Sequence, residues 1–485
     1  MVVQHVNFFR NLDTVLRELC GRGHLVTFLH GTRLDDPRLE TQIERKRKRM
    51  VFMARGLKVV ESEIHGVTSG FRPEPAEPWQ RLLGLGRQVI NRAIYFRPNH
   101  PSPERVVLGL EKDMPDPLVA RVHTPRWKRL LSRPLALRVW RWIESAGPVS
   151  PTVDAVFDEV QPHVLLVAPT IWPKAPIEAD YFHAARRRGI PTIGYVNSWD
   201  NLTSKGTVHV APDIYVVWNE PIAQEAVELH DLPPASIRIT GAPHVDRFFT
   251  MTPTVDRQTQ CRAMGAAPDR PYMVFLCSSR TLIASEVELV TRLAEALSRR
   301  FPSGAPTLVV RPHPTNPEPW AGYSHPGVSV YPLLGDQADS PESWQDYFNQ
   351  LTHASCVFGL NTTAFLEAVV VDRPCLTIVS DEFWGAQQRT GHFRHLVKGD
   401  FLEVSPDADD VAGRVERILA GADEKGAGRR EFTRWFLRPC GNAVTPSVVV
   451  ADVIERAALP WSDTAVPAAA PVVPGLTLAS EGIGR

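Results

Sequence analysis

An arginine, a histidine and an asparagine stand at fixed intervals in the segment Arg311-Pro312-His313-Pro314-Thr315-Asn316-Pro317. Guanidinium, imidazole and carboxamide are donors suited to phosphate and ribose oxygens. The segment follows an apolar run, Thr307 to Val310, that reads as a strand. Proline continues neither a central strand nor a helix interior, so the prolines force a stop of fixed shape here. In open α/β sheets ligands collect outside the carboxyl ends of strands, which is where these donors fall. The alternative is a proline-stiffened loop with incidental polar residues.

Three more polar segments follow strand-like runs. Ser278-Ser279-Arg280 comes after Met273 to Cys277 and before a helix expected over 285–300. Hydroxyls and helix-start amides there would bind an anion, unless one serine only caps the helix. Asn361-Thr362-Thr363 comes after Cys356 to Leu360 and opens a helix over 364–370. Glu367 lies four residues beyond Thr363 on the same helical face. A capping box would need Glu or Gln where Leu366 stands, which frees Glu367 to grip a ribose diol. Its alternative role is as a partner of the helix dipole.

The third segment, Asn197-Ser198-Trp199-Asp200-Asn201-Leu202-Thr203-Ser204-Lys205-Gly206, follows the run Thr192 to Val196. So many polar residues beside a buried strand must hydrogen-bond something. Asp200 is the carboxylate of the loop and its natural general base. Asn197, Trp199, Asn201 and Lys205 are expected to contact substrate, with His244 and His392 bordering the same cleft. The competing reading is a turn network bonded to itself.

These segments need a scaffold that puts strand ends opposite one another. The chain opens strand, helix, strand over residues 2–29, without a GxGxxG fingerprint. Short apolar runs return at Val164 to Ala168, Thr192 to Val196, Ile214 to Trp218 and Ile237 to Thr240, with helical stretches between several of them. A second series holds Met273 to Cys277, Thr307 to Val310, Cys356 to Leu360 and Cys375 to Val379. Continuous runs of this kind fit parallel sheets covered on both faces. The expected fold class is α/β, two Rossmann-like domains facing across a cleft. Residues 1–250 would form the acceptor domain, with a mostly helical insertion at about 34–150. Residues 256–427 would bind the nucleotide, 428–458 would be helical, and 459–485 a disordered tail rich in Ala, Pro and Val.

The chain of 485 residues has zero formal net charge, but the charge is unevenly spread. Residues 1–150 hold 26 Lys and Arg against 15 Asp and Glu, and the remainder 28 against 39. The basic part is therefore the one to meet an anionic surface. Arg45 to Arg49 is a run of cations, and Arg126 to Trp142 mixes arginines with Trp127, Leu130, Leu135, Trp140 and Trp142. That mixture suits a helix on an anionic membrane, or a solvated helix whose tryptophans enter the core. Six scattered cysteines without a CxxC pair point to a reducing cytoplasm, and argue against a zinc site or disulfide frame. No run is long enough for a membrane span.

Several of these stretches are also familiar as a set. They are His5-Val6-Asn7-Phe8-Phe9-Arg10-Asn11, Arg22-Gly23-His24, the Ser198 to Gly206 loop, Thr240-Gly241-Ala242-Pro243-His244, Arg311-Pro312-His313-Pro314 and Phe436-Leu437-Arg438-Pro439-Cys440-Gly441. Together they resemble bacterial glycosyltransferase-like proteins of the GT-B type that serve surface polysaccharide synthesis. The resemblance implies a cytoplasmic enzyme that takes a nucleotide sugar and a glycan or lipid-linked acceptor, with no cofactor and no metal. The His313-Pro314 pair and the later Thr362-Thr363 also resemble those of bacterial sialyl-, Kdo- and polyol-phosphate transferases that use cytidine nucleotides, and this narrower likeness implies that His313, Thr362 and Thr363 hold the donor phosphate. Isomerases of the nucleotide-sugar 2-epimerase kind, polyol-phosphate transferases using cytidine nucleotides, and a silent binding protein of the same fold remain the alternatives.

Overall fold

The computed structural model describes residues 1–31, 61–97, 100, 114–171, 178–333 and 340–459. The basic run at 45–49 and the tail from 460 lie outside the described residues. The first sheet contains β1 (Val2–Val3), β2 (Val26–His30), β3 (Val67–Phe71), β4 (Leu165–Ala168), β5 (Thr192–Tyr195), β6 (Ile214–Val217) and β7 (Ile237–Ile239). The second contains β8 (Tyr272–Leu276), β9 (Thr307–Arg311), β10 (Val328–Val330), β11 (Cys356–Gly359), β12 (Cys375–Ile378) and β13 (Leu402–Ser405). Every strand pair is parallel. The orders are β3-β2-β1-β4-β5-β6-β7 and β10-β9-β8-β11-β12-β13. The order therefore reverses between β1 and β4 in one sheet and between β8 and β11 in the other. Those two switch points are where a crevice opens at the strand ends.

Full burial explains why the central strands read as unbroken apolar runs. Tyr272 to Leu276 and Cys356 to Gly359 are buried at every position, as are Leu165 to Ala168. Helices cover both faces. The helix Asp13–Gly21 buries Val15, Leu16 and Leu19, and Val287–Arg300 buries Leu289, Val290, Leu293 and Leu297. The spacing of these residues puts each set on one side of its helix.

The region expected to be mostly helical also contributes a strand, β3, which pairs with β2. Its helices Gln80–Ile90, Asp116–Val122, Pro125–Leu131 and Pro134–Ala146 surround a small apolar core of their own that includes Ile90, Val122, Leu131, Leu137 and Trp140. The stretch Arg126 to Trp142 is thus two helices, because Pro125 and Pro134 each occupy a first turn. Polar contacts fasten this group to the first sheet. Buried Arg87 joins Glu144 and Asp180, with Nη1 donating to Asp180 Oδ2 at 2.8 Å. Arg72 Nη1 donates to Glu178 Oε1 at 2.7 Å. Trp140 Nε1 donates to His209 Nδ1 at 2.9 Å, so this tryptophan belongs to the interior.

The carboxyl-terminal helices do not stand apart. After Gly426–Phe432 and a π-helical turn at Thr433–Leu437, the helix Pro446–Ala458 returns to the first domain. Val450 and Ala451 enter the same core as Val15, Leu16 and Phe28. Arg22, on the adjoining helix end, bridges Asp452 and Glu455 at 2.7 and 2.6 Å. Asp246 Oδ2 accepts the Ser447 N–H at 2.9 Å, an anion at a helix start.

Removing Arg87 would leave Glu144 and Asp180 buried and uncompensated. Arg87→Ala is expected to destabilise the first domain by about 3–5 kcal/mol, read as a lowered urea midpoint. An unchanged midpoint would show that the ion pairs are not what fastens these helices.

Candidate functional site

The switch points face each other, and the residues they carry converge. After β1 the chain enters a 3₁₀ turn, Val6–Asn11, that bears Arg10. After β7, Gly241 turns with φ +89, and a Cβ there would meet the Leu437 carbonyl oxygen at 2.7 Å. Only glycine suits that turn. It leads into the 3₁₀ segment Pro243–Phe249, which packs between the helices Asp13–Gly21 and Ala364–Val370 and supplies His244, Asp246 and Arg247.

From the second domain come Arg311 at the end of β9, Trp344 and Tyr347 from the helix Pro341–His353, and Glu367 from Ala364–Val370. Arg247 lies 4.2 Å and Arg10 5.5 Å from the Trp344 ring centroid, and Arg311 lies 4.3 Å from that of Tyr347. Tyr347 donates its hydroxyl to Glu367 Oε2 at 2.7 Å, and Arg247 donates to Asp13 Oδ2 at 2.5 Å. Burial pushes the Glu367 carboxyl up, while Arg10, the Tyr347 hydrogen bond, Arg311 and Arg247 pull against it. Guanidiniums from both domains therefore act on one buried carboxylate.

His244 stacks on Trp218 with ring centroids 4.7 Å apart. Burial, with Arg10 and Arg247 adding to it, lowers its pKa to about 3, so the ring is neutral. Both of its nitrogens are buried without a hydrogen-bond partner among the described residues. Such a group costs about 1–3 kcal/mol unless something pairs with it, and here it sits within the field of two arginines.

The Asn197 to Gly206 loop reaches across to the second domain. Trp199 Nε1 donates to Thr363 Oγ1 at 3.1 Å, and its ring meets His392 edge-on at 4.8 Å. Asp200 pairs with Lys205 at 3.1 Å and is about one-fifth exposed. Burial would raise its pKa, but Lys205 and His392 outweigh burial and hold it well below the usual carboxylate range. It is ionised and weakly basic. His392 is neutral, lowered to about 4 chiefly by burial. Asn201, expected to contact substrate, accepts the Asn197 and Ser198 N–H groups on its carboxamide oxygen at 3.1 and 3.0 Å. Asn197 Oδ1 is buried without a partner among the described residues.

Several other expected ligands also bond groups within the chain. Asn316 Nδ2 donates to the carbonyls of Ile283 and Ala284 at 3.3 and 3.2 Å. Asn361 Nδ2 donates to the Ala386 carbonyl at 2.7 Å and to Thr390 Oγ1 at 3.0 Å, holding the loop that carries His392. Thr362 Oγ1 accepts the Ala364 N–H at 3.3 Å. Ser278, Ser279 and Arg280 are not at a helix start, since that helix begins at Val287. The Ser278 N–H goes to Glu286 Oε2 at 2.9 Å, Ser279 pairs with Thr281 at 2.9 Å, and Arg280 is exposed. His313 Nδ1 accepts the Thr315 N–H at 3.1 Å, which fixes the neutral tautomer with its proton on Nε2. Among the described residues no group of His, Cys, Asp and Glu is clustered as a metal site.

Arg10, Arg247, Trp344 and Tyr347 were missed as site residues by sequence reasoning. Arg10 follows the first strand within one of the familiar stretches, and Arg247 stands three residues beyond His244. Trp344 and Tyr347 lie three residues apart on Pro341–His353 and are buried with its other apolar positions.

No protein-family model and no curated protein matches the chain. Solved structures do match in fold. UDP-GlcNAc 2-epimerase from Methanocaldococcus jannaschii aligns with a TM-score of 0.50 at 10% identity, over 93% of this chain and 98% of that one. MnaA of S. aureus with UDP aligns with a TM-score of 0.51 at 10% identity, over 94% and 95%. The calicheamicin glycosyltransferase CalG4 aligns at 0.48 and 13% identity, over 94% and 96%. At these identities the likeness is one of architecture, and the chain has the two-domain GT-B fold.

Glu286 gives the second domain a pH dependence. Burial raises its pKa from 4.5 to about 7. A raised folded pKa contributes stability below the unfolded value that is lost as pH rises through the folded one. Stability should fall by on the order of 3 kcal/mol between about pH 4.5 and 7 from this group. Glu286→Gln should flatten that slope in urea titrations. Parallel curves for the two proteins would remove Glu286 as the cause.

Proposed function

We propose that the protein is a glycosyltransferase that moves a sugar from a nucleotide-sugar donor to a glycan or lipid-linked acceptor, in cell-surface polysaccharide assembly. The observation that carries this reading is the convergence of Arg10 and Arg247 on Trp344, and of Arg311 on Tyr347, beside Glu367 between the domains. Preorganised cations where a diphosphate departs are the largest contribution a transferase can make. In this reading the bond from the sugar to the diphosphate breaks, the bond to the acceptor oxygen forms, and the acceptor's hydroxyl proton passes to the departing diphosphate. The three guanidiniums neutralise the leaving diphosphate, and His313 Nε2–H donates a hydrogen bond to it. Glu367 takes ribose hydroxyls. His244, with its unmatched ring nitrogens, and Asn197 bond the sugar.

Isomerisation would need two acid–base groups around the sugar. Asp13 and Asp200 are held in ion pairs, Glu367 by the Tyr347 hydroxyl and Asp246 by the Ser447 N–H, which favours transfer. Asp200 was expected to be the acceptor's base. Its depressed pKa matches poorly with proton abstraction near neutrality, so we assign it to holding an acceptor or sugar hydroxyl. Incubation with a panel of nucleotide sugars separates the reactions. Acceptor-dependent release of nucleotide supports transfer, whereas a new sugar isomer or no turnover ends this reading.

Two variant series test the assignments. Arg10→Ala and Arg311→Ala should each weaken nucleoside diphosphate binding about tenfold or more, from the ~1.5–3 kcal/mol of a charge-assisted bond. Binding of the bare nucleoside should change far less, and equal losses for both ligands in calorimetry would refute the phosphate role. Asp200→Asn should raise KM with kcat nearly kept. A fall in kcat of about 10²–10⁴ at unchanged KM would restore it as the base.

A further inference from the structure

The helices inserted in the first domain leave an apolar face uncovered. In Pro134–Ala146, Leu137, Trp140 and Glu144 point inward. Leu135, Val139, Trp142 and Ile143 are exposed and fall on the opposite side of the same helix. A surface helix normally has one apolar stripe, and this one has two. Leu82 and Leu85 of Gln80–Ile90 and Trp127 and Leu130 of Pro125–Leu131 are exposed as well. Half of the exposed large apolar side chains among the described residues lie between 82 and 143. Scattered exposure needs no explanation, but four large apolar side chains on one face of one helix mark a contact surface.

The charge on these helices identifies the occupant. Arg121, Arg126, Lys128, Arg129, Arg133 and Arg138 are all exposed. Between 117 and 146 the one carboxylate is Glu144, which is buried against Arg87. A second copy would bring the same excess of positive charge against itself, whereas an anionic lipid surface complements it. An apolar cavity of about 220 Å³ lies within the same helices, lined by Gly86, Val89, Leu118, Val122, Trp127 and Trp140 with Arg121. Trp127 and Trp140 both line it, so the cavity lies on the inward side of Pro134–Ala146, away from the exposed stripe. No helix among the described residues is long and apolar enough to cross a membrane, so the contact is peripheral.

We infer that this face docks on an anionic bilayer, with Leu135, Val139, Trp142 and Ile143 entering the interface and the exposed arginines meeting lipid headgroups. The inference does not rest on the transfer reading, since binding is measured without nucleotide or turnover. The test is flotation of the full chain with phosphatidylcholine vesicles and with vesicles containing phosphatidylglycerol. Binding to the anionic vesicles is expected, at least tenfold weaker on neutral ones and weakened at about 1 M salt, where screening is nearly complete. The double change Leu135→Glu with Trp142→Glu should abolish it, and Arg126→Glu with Arg133→Glu should do the same without touching the apolar side chains. Quenching of wild-type tryptophan fluorescence by acyl-brominated phosphatidylglycerol vesicles tests insertion without any variant. Equal recovery in the soluble fraction with both vesicle types, or no quenching, overturns the inference. So does a dimer of the wild-type chain that Trp142→Glu separates, since a second copy would then own the face.

Discussion

One apolar core shared by two parallel sheets is the constraint on which the rest depends. A parallel sheet must be covered on both faces. Here the cover on the facing sides is common property. Trp199, Trp218 and Phe248 of the first domain belong to the same buried cluster as Tyr272, Phe365, Phe401 and Phe436 of the second. Polar crossings such as Trp199 to Thr363 and Glu225 to His395 lie along its margin. The relative setting of the domains is therefore fixed by packing, and the arginines of the first domain come to rest near the carboxylate of the second. The electrostatics of Glu367 are a product of that packing.

The fold was legible to the extent that burial left a pattern. The interior strands β8, β9, β11 and β12 were read to within a residue or so of their ends, because every position on them faces apolar neighbours. The strands β3, β10 and β13 were not read. They lie at sheet edges, and their sequences include Ser69, Ser329 and Glu403. A strand covered on one edge can mix polar with apolar residues, which removes the run that betrays an interior strand.

The site was legible as a set of strand ends and much less so as a set of roles. Asn201, Asn316 and Asn361 have the chemistry of ligand contacts, yet each bonds backbone groups of its own or a neighbouring loop. Buried backbone polar groups need partners, and short amides at strand ends are the nearest available. Arg247 and Tyr347 were hidden for the opposite reason. They reach the cleft from helical segments, and only the docking of the two domains brings them together.

The return of the helix Pro446–Ala458 to the first domain has a consequence for synthesis. Its Val450 and Ala451 complete a core begun by Val3, Val15 and Leu16, with the whole second sheet encoded between them. Domains generally fold as units, in order from the ribosome. In this chain the domain that emerges first is finished last. Until residue 458 is released, the face of Asp13–Gly21 that receives this helix stays bare. A nascent chain halted after the second domain would carry one finished domain and one lacking a wall, and that exposed groove would be the natural handle for a chaperone or a protease.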